Sequence, residues 1–83
     1  MTLYKLNLTW GDTVIIDSDA PKKFKPSEIG SICGIRMLKN QSESDEFHGY
    51  IGSNLYLVEF FSGASLEVPE QFLSKYIDKF HSN

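Results

Sequence analysis

Two histidines, His48 and His81, one thiol, Cys33, and two loose groups of carboxylates are the residues of this 83-residue chain that could do chemistry. A Cys–His pair needs an exposed cysteine whose thiolate is stabilised by its surroundings. Cys33 stands between Ile32 and Gly34-Ile35, an apolar setting in which a free cysteine behaves as a small buried hydrophobe. A structural cysteine is therefore expected. His48 lies in a polar stretch and His81 near the C-terminus, and neither has a nucleophile beside it in sequence.

Asp17 with Asp19, and Glu43, Asp45 and Glu46 with His48, supply metal-ligating atom types. Their spacing fits neither an EF-hand nor the C-x₂-C and H-E-x-x-H patterns of zinc sites, and carboxylates this close in sequence are more often hydrated. "GSICG" (Gly30 to Gly34) has the wrong spacing for a phosphate loop and opens a strand, not a helix. A glycosidase-type carboxylate pair needs a large concave pocket, which so small a domain rarely builds. The expectation is no catalytic residue, no metal and no cofactor, hence a non-enzymatic binding protein.

Charge distribution points toward the partner. Net charge is −3, yet from Asn40 to Ser74 six acids (Glu43, Asp45, Glu46, Glu59, Glu67, Glu70) occur with no lysine or arginine. Such a segment is either a solvated acidic surface or a face that steers a positively charged partner. It argues against a generic nucleic-acid binder, because phosphate neutralisation needs a basic stripe. The basic exception is Lys22, Lys23 and Lys25.

Elements must position these groups. At 41 % hydrophobic and 23 % charged, the chain is too apolar for disorder and is long enough for one domain, residues 1–83. No stretch approaches the eighteen or more apolar residues of a membrane helix, Met1 to Trp10 lacks a signal peptide's apolar block, and the single cysteine excludes an internal disulfide. A cytoplasmic location without membrane attachment is expected.

Tyr4, Leu6, Leu8 and Trp10 alternate with Leu3, Lys5, Asn7 and Thr9, which predicts a strand. Gly11-Asp12 predicts a turn and Thr13–Asp17 a second strand. Ser18 to Gly30, with Pro21, Pro26 and three lysines, predicts a long structured loop. Ser31–Leu38 predicts a strand bent at Gly34, and Lys39–Asn54 a polar loop with Gly49 and Gly52 at positive φ. Leu55–Phe61, a turn at Gly63 and Leu66–Val68 predict a hairpin. After Pro69, the spacing of Phe72, Leu73, Tyr76, Ile77 and Phe80 predicts an amphipathic helix over about 69–80 that closes the core with Phe72 and Tyr76. Trp10, Phe60, Phe72 and Tyr76 are among the aromatics that could fill the core, while Trp10, Phe47, Tyr50 and Phe61 are candidates for exposed contact residues.

"GDTVII" through "EIGSICGI" (Gly11 to Ile35), followed by "YLVEFFSGASLEVP" (Tyr56 to Pro69), resembles SH3-like barrels of the KOW/Tudor-like kind, and is closest to small bacterial single-domain members. Some of those look like the antidote halves of toxin–immunity pairs. The turn departs from the pattern, with Ala64 where Asp or Asn plus Gly is usual, and the 39–54 loop is longer than most. The resemblance implies a mainly β fold, a small five-stranded antiparallel SH3-like barrel with a short C-terminal helix. It also implies an immunity or antitoxin protein whose partner is a basic protein such as a toxin nuclease. The residues expected to meet it are Glu43, Asp45, Glu46, Phe47, His48 and Tyr50: acids for charge, aromatics for anchorage. Phe47 and Tyr50 can equally fold down to plug the core. The alternative is a barrel that binds RNA, the ribosome or a peptide through Trp10, Phe24, Lys22, Lys23 and Lys25.

Overall fold

The computed structural model describes residues 8–76. Five antiparallel strands form one sheet in the order β4-β3-β2-β1-β5: β1 (Thr13–Ile16), β2 (Ile29–Met37), β3 (Asn54–Phe60), β4 (Ser65–Pro69) and β5 (Leu73–Lys75). Among the described residues one short α-helix, α1 (Gln41–Phe47), separates β2 from β3. β1 to β4 follow one another as a meander, and β5 returns to pair with β1, Ile16 opposite Leu73 and Val14 opposite Lys75.

The strands form where β-branched and aromatic residues alternate with polar ones. Val14, Ile16, Ile32, Tyr56, Val58, Phe60, Val68 and Leu73 turn inward to a common core, joined by Leu8, Ala20 and Phe24 from outside the strands. Each large aliphatic or aromatic side chain buried this way contributes about 1.5–3 kcal/mol. Phe24, on a 3-10 turn at Lys22–Phe24, stacks on Phe72 at 5.6 Å. The loop between β1 and β2 thus covers one end of the sheet. It is held there by left-handed residues at Lys25 and Ser27 and by the Ser27 N–H donating to the Ile16 carbonyl at 2.8 Å.

Several expectations change. Of the predicted strand ending at Trp10, residues 1–7 lie outside the described region. Thr9 to Asp12 form a turn, closed by Asp12 N–H to the Thr9 carbonyl at 3.1 Å. Of the two places open to Trp10, core or surface, it takes the surface. The C-terminal helix is replaced over 69–76 by a 3-10 turn (Glu70–Phe72) and β5, while 77–80 lie outside the described residues. Phe72 still reaches the core, but Tyr76 is exposed. Pairing with the open side of β1 outweighs the helical spacing: the Tyr76 N–H donates to Thr13, and Ser74 Oγ to Asp17 Oδ1 at 2.7 Å. The chain is mainly β with five antiparallel strands, and among the described residues no pairing joins the outer strands β4 and β5.

The bend in β2 falls where glycine predicts it. Register shifts between Ile32 and Gly34, so Cys33 is the extra residue of a β-bulge and stands exposed. The expectation of a buried cysteine fails for that reason: its apolar neighbours occupy the core face while the bulge turns Cys33 out.

Candidate functional site

Asn40 builds the element that carries most of the candidate residues. Its Oδ1 accepts the Glu43 backbone N–H at 2.9 Å, and the Glu43 carboxylate reaches back to the Lys39 N–H at 3.0 Å. This reciprocal capping starts α1 in a stretch that reads as loop by composition; the Asn-x-x-Glu spacing is the signal that predicts it. His48 ends the helix in a left-handed conformation, φ 58°, its N–H bonded to the Ser44 carbonyl. His48, not Gly49, takes the positive φ expected there, whereas Gly52 does so at φ 92°. Gly52 sits third in a turn closed by Ser53 N–H to the Tyr50 carbonyl at 3.0 Å. That turn presents Tyr50 and Ile51 to solvent, with Tyr50 77 % exposed.

Leu38, Leu55 and Pro69 are all buried, with Leu38 and Pro69 close to Gly49 just before this turn. Leu38 is bonded through its backbone to Gly52 and Ser53, so the exposed Met37 next to it stands at the same end of the sheet as Tyr50 and Ile51.

The acidic segment divides into committed and uncommitted groups. Arg36, on β2, pairs with Glu67 (Nε–Oε2 2.6 Å) and Glu43 (Nη1–Oε2 2.9 Å). Hydrogen bonding to Glu67, then to Glu43, raises the Arg36 pKa, so the guanidinium stays charged. The Lys39 N–H, followed by Arg36, lowers the pKa of the Glu43 carboxyl. Glu70 accepts the Asn54 N–H at 2.7 Å and anchors the start of β3. Three of the six acids are therefore structural ties, a correction to an acidic surface read from sequence alone. Asp45 accepts only from the neutral Gln41 amide, and neither Asp45 nor Glu46 forms an ion pair among the described residues.

Phe47 is half-buried against the core with the Arg36 guanidinium 5.8 Å from its ring, so it plugs while Tyr50 projects. His48 is exposed, and its carbonyl accepts from Gln71 Nε2 at 2.6 Å. The lysines expected in the alternative reading, Lys22, Lys23 and Lys25, are all exposed. Lys23 donates to the Glu46 carbonyl, Lys25 lies over the Phe60 ring at 5.9 Å, and Phe24 is buried. The lysine turn and α1 are thus neighbours, which sequence distance conceals.

A second feature has no counterpart in the sequence reading. An open groove of about 250 Å³ crosses the outer face of the sheet, lined by Trp10, Gly34, Arg36, Leu57 and Glu67, with Ile35 and Leu55 completing it. Among the described residues no cluster of three or more His, Cys, Asp or Glu is placed to hold a metal, and no helix is long and apolar enough to cross a membrane.

Fold and site together define a small antiparallel β sheet with exposed Tyr50 and Ile51 in the turn after a helix whose Asp45 and Glu46 form no ion pair among the described residues. Compared with known proteins, the chain matches no family model, no curated protein and no solved structure.

Proposed function

We propose that this chain is a non-enzymatic protein-binding module built on an SH3-like barrel, and that it acts as an immunity or antitoxin protein toward a basic partner such as a toxin nuclease. The strand order, the 3-10 turn between β4 and β5 and the bulge in β2 support the barrel reading, since a small barrel needs such corners. One observation carries the binding reading: the exposed Tyr50 and Ile51 follow directly on a helix whose Asp45 and Glu46 carboxylates have no cationic partner among the described residues. An aromatic anchor rimmed by free charge gives both affinity and steering. Carboxylates placed this way can occupy a cleft shaped for phosphate and block it sterically and electrostatically.

The reading as an RNA- or ribosome-binding module has less support, because the basic turn is split between an intramolecular bond and an aromatic ring. Filter binding with single-stranded RNA separates the two; a salt-sensitive affinity would favour RNA. For the first reading, the test is capture of a basic protein from the source cells, then association kinetics against wild type and an Asp45→Lys, Glu46→Lys double variant. The double variant should associate roughly tenfold or more slowly at low salt while keeping its fold. Equal rates would remove the acidic mechanism, and failure to recover a basic partner would remove the reading.

A further inference from the structure

We draw no further inference here: the strongest candidate, the open groove that Trp10, Leu57 and Glu67 line on the outer face of the sheet, carries none because nothing in the structure shows what covers it.

Discussion

Arg36 and Glu67 meet through two bonds, Nε to Oε2 at 2.6 Å and Nη2 to Oε1 at 3.0 Å, although a whole strand lies between them. Arg36 is on β2 opposite Leu55, Glu67 on β4 opposite Leu57, and both side chains lie across the outer face of β3. The same guanidinium then reaches Glu43 on α1. One residue thus ties three elements, and α1 depends on it, since no side chain of α1 is fully buried.

Arg36→Met should accordingly lower unfolding stability by about 1 kcal/mol, the upper range for a partly exposed but bidentate pair. Urea denaturation measures this, and the difference should shrink in 1 M salt as the pair is screened. Amide exchange should rise in α1 while the amides of β3 keep their protection. Equal exchange in α1 would show that its caps alone hold it.

Glu43 makes that tie pH-dependent. Its carboxyl titrates lower in the folded chain than in the unfolded one, so the folded state favours the charged form. Its stabilisation is therefore complete above the ordinary glutamate value of about 4.3 and is lost as pH falls through the lower folded value. Arg36 stays protonated throughout and adds no slope of its own. Stability measured from pH 5.5 downward should fall less steeply in Glu43→Gln than in wild type. Identical slopes would refute the linkage.

Gly30 and Gly49 look alike in sequence and should respond differently to alanine. A Cβ on Gly30 falls 2.6 Å from the Glu59 carbonyl oxygen and 2.6 Å from Val58 Cγ1, where the backbone of β3 cannot yield. Gly30→Ala should cost about 3 kcal/mol or more, at the upper end for overpacking. At Gly49 the nearest atom, also at 2.6 Å, is Leu38 Cδ1, the end of a side chain that can turn. Gly49→Ala should cost about 1 kcal/mol, at the low end. Thermal melts of the two variants give the ranking, and the reverse order would contradict the packing.

Cys33 should react with a disulfide reagent in the native protein on the timescale seen in denaturant, because the β2 bulge exposes it. Strong native protection would restore the buried position that its neighbours predict.

Local chemistry made much of this fold legible. Gly11, Gly52 and Gly63 mark turns at positive φ, the alternation through Leu55–Phe61 marks β3, and Gly34 marks the bend in β2. Asn40 and Glu43 carry the capping pattern of α1, although polar composition masks it.

By itself, the sequence determined a mainly β chain with an acidic middle segment. These properties depend on residue type and on neighbours within a few positions. The tertiary structure decided which acids remain free, because Arg36 is seven residues from Glu43 and thirty-one from Glu67 and meets them only when three elements pack. It likewise decided that Leu73–Lys75 is strand and not helix, since the open hydrogen-bonding side of β1 exists only after the chain has folded. The groove beside Trp10 arises from the same kind of long-range juxtaposition.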